Sequence, residues 1–401
     1  MRVVRAAVAA VLCMGLAACG SSGTGSSGMV AAADQGVSFT VNGTTAYGTL
    51  HVPAHRSGQR LAAALLLAGS GPTDRNGDQA AAGFEPHTLQ LIAGVLGQSG
   101  IMTLRFDKYF SGQTGAGAFA SHPSAIDLAA FIRQADAAYD FLRAQPDTDP
   151  RRMLVAGHSE GGMYALLVAR SVSPRPAGLA LIEPQDERFL SLIQLQTDEQ
   201  LDAAVAQGTV TAATAQQNAQ AVRGAIAAFR AGRPVDTTGM LSSVVSLITP
   251  ILLSPANVGY VRSDDAVYPP GLAAGLPPGT RVLVTEGTAD QNVPPSTITP
   301  LVQALAAAGT TGPGLRMLTG VNHLLQSASA PDDTQSLASS AVAALQAWAQ
   351  PYAQLFLFLR SPPGPPTCSA HEGSRPRTPL AHPRSWPAPS LVAPPSLLGW
   401  A

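Results

Sequence analysis

Positions 37–52 alternate apolar and polar residues around the turn dipeptide Asn42-Gly43, which predicts an antiparallel hairpin. From about 61 the alternation gives way to a continuous apolar run at 62–67 and a second, mostly apolar run at 101–106, with further short strands predicted at 153–156, 177–182, 281–285 and 315–318. Helical spacing lies between them, at about 86–98, 125–144, 159–170, 296–307 and 333–350. Within 125–144, for example, Ile126, Phe131, Ala135, Tyr139 and Leu142 fall on one face. Strands apolar on both sides, separated by helices, predict an α/β chain with a mostly parallel central sheet covered on both faces. Residues 187–265 break this rhythm: they are rich in Ala, Gln and Leu, with helical spacing around 198–231 and 239–253. They predict a helical insertion after the 177–182 strand, placed to cap a site at the strand ends.

The two ends of the chain follow other rules. Arg2 and Arg5 precede an apolar stretch at 6–14 that is too short to span a bilayer. Leu16-Ala17-Ala18-Cys19-Gly20 follows, then a Gly/Ser-rich run. Small residues before a cysteine resemble a bacterial lipobox, and that resemblance implies cleavage before Cys19 and diacylation of its thiol. The expected organisation is a signal peptide at 1–18, a tether at 19–36, a folded domain at 37–352 and a disordered tail rich in Pro at 353–401. The domain would then lie outside the cytoplasm, at the cell envelope, held to the membrane through Cys19.

Composition narrows the chemistry. Only 12% of the 401 residues are charged and the net charge is −1, which gives a nucleic-acid partner no electrostatic support. The three cysteines are Cys13, Cys19 and Cys368, all outside the expected domain, so no disulfide framework or thiolate metal site is expected there. The oligomeric state is not legible.

Acyl transfer needs an activated hydroxyl, a base, a group that orients the base, and donors for the oxyanion. Gly157-His158-Ser159-Glu160-Gly161 lies between a strand and a helix. Glycines on both sides of Ser159 permit a sharp turn that lifts the hydroxyl above the sheet and leaves the next amide free to donate. Asp290 follows the 281–285 strand and His323 the 315–318 strand, so the order is Ser, Asp, His. Asp290 could instead serve only as a turn or N-cap residue. Glu183 and Asp186, after an earlier strand, compete with it as the acid. Gly69-Ser70-Gly71-Pro72 follows the 62–67 strand, and its Ser70 N–H is the expected second oxyanion donor beside Glu160 N–H. Asp74, Arg75, Asp107 and Lys108 are expected to form ion pairs bracing the loops beneath the site. His158 and the Glu160 side chain are expected to point away from the chemistry, and Asn322 to shape a turn.

The Gly69–Pro72 loop with Asp74-Arg75, the run Leu104-Arg105-Phe106-Asp107-Lys108, and Gly-His-Ser-Glu-Gly-Gly at 157–162 together resemble the EstD-type bacterial esterases of the α/β-hydrolase superfamily. That group also holds prolyl-oligopeptidase-like proteins. The resemblance covers about 37–350 apart from most of the insertion. It implies hydrolysis of small carboxylic esters with no metal and no organic cofactor. Two positions depart from the pattern: Ala68 stands where related chains often carry His, and Tyr109-Phe110 intervene before Ser111-Gly112. A peptidase or amidase using the same three residues, and a non-catalytic surface protein that kept the fold, are the alternative readings.

Overall fold

The computed structural model describes residues 28–330 and 335–353. The signal segment, Cys19 and the tail from 354 onward lie outside the described residues. Among the described residues ten strands are present: β1 (Met29–Val30), β2 (Ala33–Val41), β3 (Thr44–Val52), β4 (His55–Arg56), β5 (Leu61–Leu67), β6 (Met102–Phe106), β7 (Thr148–His158), β8 (Gly178–Ile182), β9 (Arg281–Gly287) and β10 (Thr311–Leu318). The α-helices are α1 (Thr88–Gln98), α2 (Leu128–Arg143), α3 (Glu160–Ser171), α4 (Phe189–Ala206), α5 (Ala212–Arg230), α6 (Ser242–Ile248), α7 (Val258–Asp265), α8 (Pro269–Ala273), α9 (Thr299–Ala307) and α10 (Ser339–Ala349).

Eight strands form one sheet in the order β10-β9-β8-β7-β5-β6-β3-β2. Pairing is parallel from β10 to β6, whereas β3 runs antiparallel to both β6 and β2. This order, with one reversed strand next to the edge and helices on both faces, is the α/β-hydrolase fold. The unbroken apolar run of β5 explains the two-sided covering. Leu61, Ala63, Leu65 and Leu67 join the core on the α2 and α3 side. Ala62, Ala64 and Leu66 join the core formed with α1 and α10. Period-2 alternation thus sends neighbouring residues of a fully buried strand into opposite cores.

The first hairpin begins earlier than the alternation predicts. Met29–Val30 pairs with His55–Arg56, and β2 starts at Ala33. Residues 29–36 are therefore largely strand, where a tether is expected from sequence. Their side chains are exposed, so no buried face imposes alternation, and pairing with β4 and β3 makes them strand.

Between β8 and β9 the described residues contain helices and no strand. The helical spacing at 198–231 is interrupted at 207–211, where Gly208 takes φ +71° between α4 and α5. No single described helix is long and apolar enough to cross a membrane.

The turn from β7 to α3 depends on close backbone approach. A Cβ on Gly157 would overlap the Gly161 backbone, and one on Gly161 would overlap the Leu67 carbonyl. Gly157→Ala is expected to cost about 2–3 kcal/mol through forced backbone shifts. Exposed Gly94 in α1 has open space around the missing Cβ, so Gly94→Ala is expected to add about 0.5–1 kcal/mol. Thermal unfolding of the two variants checks both signs.

Candidate active site

Ser159, Asp290 and His323 follow β7, β9 and β10 and lie at the same end of the sheet. Ser159 is held at φ +57° and ψ −127°, a conformation disfavoured for an L residue. Its amide donates to the Ile182 carbonyl at 2.9 Å. Its carbonyl accepts from Gly162 at 2.8 Å and from Gln185 at 2.9 Å. The strained turn is thereby pinned from α3 and from the loop after β8.

His323 Nδ1 and Asp290 Oδ2 lie 2.7 Å apart, with both residues buried. The other Asp290 oxygen accepts the amides of Asn292 at 2.7 Å and Val293 at 2.9 Å. Asp290 thus shapes its turn and also holds the imidazole. The competing carboxyls are engaged elsewhere. Glu183 Oε2 accepts the Gly287 amide at 2.5 Å, and Asp186 accepts the Thr297 hydroxyl at 3.0 Å. Asn322 Oδ1 accepts the amides of Leu324 and Gln326, both at 3.0 Å, and so forms the loop that presents His323.

His158 does not point away from this group. Its Nε2 donates to the His323 carbonyl at 2.7 Å, and the two rings are 4.9 Å apart. Burial, with His323 alongside, lowers its pKa to about 3, so it stays neutral and acts as a fixed donor. Sequence carried no signal for this bond, because its acceptor is a backbone oxygen 165 positions away.

The loop after β5 closes over the serine. A Cβ on Gly69 would stand 3.0 Å from Ser159 Cβ. The Ser70 carbonyl is fastened by Thr73 Oγ1 at 2.7 Å and Gln79 Nε2 at 2.9 Å. Glu160 is the first residue of α3, so its N–H has no acceptor in the preceding turn of helix. The Glu160 side chain, by contrast, is turned inward and pairs with Lys108 at 3.1 Å. Asp107 receives Arg75 through two guanidinium bonds, Nε at 2.9 Å and a terminal nitrogen at 2.5 Å. Asp74 makes an Asx turn with the amides of Asn76 and Asp78 instead of an ion pair.

These groups line a narrow crevice with two lobes. Ser70, Ser159 and His323 line both lobes. Phe189, Leu192, Ile193 and Gln196 of α4 form one wall, so the helical segment after β8 covers the serine directly. The lining residues of that segment were not identifiable from sequence. A broader polar depression lies across the 70–79 loop and contains Arg75, Arg105 and Asp107 but none of the serine, histidine or Asp290 groups. Its cations are paired internally with Asp34 and Asp107.

Behind Asp290, oxygens of Glu183, Glu286 and Asp290 lie within 4.8 Å of one another, a donor set that could hold a hard cation. Protons offer a second way to relieve the repulsion. Burial, then the neighbouring carboxylates, raise Glu286 to about 10; burial, then Asp290, raise Glu183 to about 8; burial raises Asp186 to about 7. Both glutamates therefore hold protons at neutral pH.

No protein-family profile matches the chain, and no curated protein matches it. Solved structures do. Est1E from Butyrivibrio proteoclasticus, with ferulic acid bound, is similar over 79% of this chain and 98% of its own, at 15% identity and a TM-score of 0.49. The α/β hydrolase GrgF from a Penicillium species is similar over 73% of this chain and 91% of its own, at 18% identity and a TM-score of 0.46. An acylaminoacyl peptidase from Pyrococcus horikoshii is similar over 73% of this chain and 38% of its own, at 12% identity and a TM-score of 0.45. At these identities no activity is carried across to this chain.

The raised carboxyls set a direction for stability. The folded state retains the Glu286 proton up to about pH 10, whereas the unfolded chain releases it near pH 4. Stability therefore falls as pH rises through that window, by up to about 1.4 kcal/mol per pH unit for this group. His158 acts in the opposite direction: its stabilising effect is lost as pH falls from about 6.5 toward 3. Glu286→Gln is expected to unfold at a higher temperature than the parent at pH 9 and to lose that advantage at pH 5. An equal gap at both pH values would contradict the assignment.

Proposed function

We propose that the protein is a serine hydrolase acting on carboxylic esters, of the kind its motifs resemble among EstD-type esterases. The observation that carries this reading is the 2.7 Å contact from Asp290 to His323 Nδ1 in a crevice shared with a serine held at φ +57°. With Nδ1 engaged, Nε2 is the nitrogen left to take a proton from a hydroxyl.

In this mechanism His323 accepts the Ser159 proton as Oγ attacks the ester carbonyl. The carbonyl π pair moves to oxygen, where the Ser70 and Glu160 amides stabilise it. Collapse of the tetrahedral intermediate breaks the bond to the alcohol oxygen, which leaves with the His323 proton. Water then gives its proton to His323 and attacks the acyl-Ser159, releasing the acid and restoring the hydroxyl. Asp290 orients the imidazole and offsets its positive charge. The apolar α4 wall favours acyl or alcohol groups of limited size over ionic substrates.

The N-terminal segment supports a further part of the reading, that the mature chain is acylated on Cys19 and tethered at the outer face of a bacterial plasma membrane. Cys19→Ser is expected to move the protein from the membrane to the soluble fraction; retention in the membrane would refute the anchor.

Ser159→Ala is expected to reduce hydrolysis of p-nitrophenyl butyrate by about 10⁶-fold, and Asp290→Asn by about 10³–10⁴-fold. Turnover by folded Ser159→Ala close to that of the parent would overturn the reading. Comparing acyl esters with aminoacyl anilides separates esterase from amidase.

A further inference from the structure

Lys108 follows β6 and is 3% exposed, with Glu160 at 1%. Its ammonium donates to the Gly69 carbonyl at 2.5 Å and to Glu160 Oε2 at 3.1 Å. The rings of Phe131 and Tyr164 cover its remaining side, with centroids at 5.4 and 5.6 Å. Glu160 Oε1 accepts from the Tyr260 hydroxyl, and Tyr260 lies on α7. One cation therefore holds the carbonyl of the Gly69–Ser70 peptide and the Glu160 side chain, and the amides of Ser70 and Glu160 serve as oxyanion donors in the acyl-transfer reading, on which this inference rests.

The peptide plane turns this contact into an orientation. In a trans peptide the C=O and N–H point in opposite directions. The Gly69 oxygen and the Ser70 N–H belong to one peptide unit. Drawing the oxygen down onto Lys108 turns the Ser70 N–H to the opposite side. Ser70 lines both lobes of the crevice and Lys108 lines neither. At the other donor, the Glu160 carboxylate is held at the first residue of α3, where its N–H emerges.

A purely stabilising role accounts less well for this arrangement. Desolvating both charges costs several kcal/mol, and apolar replacements of buried pairs are often neutral or better. The third partner here is a carbonyl of the loop over the serine, which an ion pair meant only for stability does not need. We propose that Lys108 is a positioning residue that sets the direction and separation of the Ser70 and Glu160 amides.

The test uses the full chain. Lys108→Met keeps the apolar stem and removes the cation. The expected result is a fall in kcat for p-nitrophenyl butyrate of about 10- to 100-fold, somewhat less than loss of a whole donor. KM should stay within about threefold, since the donors act on charge that develops in the transition state. Affinity for an alkyl trifluoromethyl ketone, whose adduct with Ser159 places an oxyanion between the donors, should fall by the same factor as kcat/KM. Because Lys108→Met leaves Glu160 buried and unpaired, Lys108→Met/Glu160→Gln supplies a variant with no lone charge. Its kcat stays low if Lys108 positions the donors and recovers if the pair only supports the fold. Titration of active serines with a fluorophosphonate puts kcat on a per-site basis. A per-site kcat within threefold of the parent in either folded variant overturns the proposal. If Ser159→Ala is inactive while Lys108→Met keeps its kcat, only the Lys108 assignment falls. If Ser159→Ala retains turnover, the acyl-transfer reading falls and takes this one with it.

Discussion

The backbone at Ser159 is the constraint around which the rest of the molecule is arranged. A non-glycine residue at φ +57° and ψ −127° costs on the order of 1–3 kcal/mol and persists only where its surroundings allow nothing else. Three features remove the alternatives here. Gly157 and Gly161 let strand and helix backbones approach more closely than any side chain would permit. The Ile182 carbonyl, at the end of β8, takes the Ser159 amide. The Gln185 amide, in the loop beyond, returns a bond to the Ser159 carbonyl. The adjacent parallel strand is thus part of the turn, and the hydroxyl is set by pairing within the sheet as much as by its own pentapeptide.

Having fixed the serine, the fold places several buried ionisable groups near it. Glu183 and Glu286 hold protons because burial and mutual repulsion raise them. Asp264 is raised well above the ordinary carboxylate range by burial and by the charge of Glu160. His158 stays neutral and spends its N–H on the His323 carbonyl. Lys108 and Glu160 neutralise each other. Charges that would be costly alone become tolerable as pairs or as neutral acids. Against this background Asp290 is distinct: its two oxygens are saturated by two amides and one imidazole.

The helical segment between β8 and β9 is more than a cover. Its α4 supplies the apolar wall of the crevice, and its α7 reaches the buried polar cluster through Tyr260, which bonds both Glu160 and Tyr164. The same segment that meets the substrate in the proposed mechanism therefore also contacts Glu160, the residue next to Ser159. Such a coupling connects the seating of the segment to the geometry of the turn at Ser159.

Much of this was legible in the chain itself, because some properties are local. Unbroken apolar runs report strands buried on both faces, and the bordering glycines of 157–161 report a turn that no side chain could enter. Strand-end loops carrying Asp290 and His323 could be read in order, and strands β7, β9 and β10 bring those loops to one end of the sheet. The Arg75–Asp107 brace was also legible as a pairing of neighbouring loops. Other features depended on partners that only packing selects. Residues 29–36 have little pattern of their own and become strand by pairing with β3 and β4. Lys108 was expected in a loop brace, but its carboxylate partner lies 52 positions away in α3. His158 alternates away from Ser159 along the strand, and only the return of the chain after β10 brings the His323 carbonyl to its ring. Local hydrogen-bonding period and turn stereochemistry are written residue by residue. The partner of a buried charge is decided by which distant elements share its volume, and that is settled only when the tertiary structure closes.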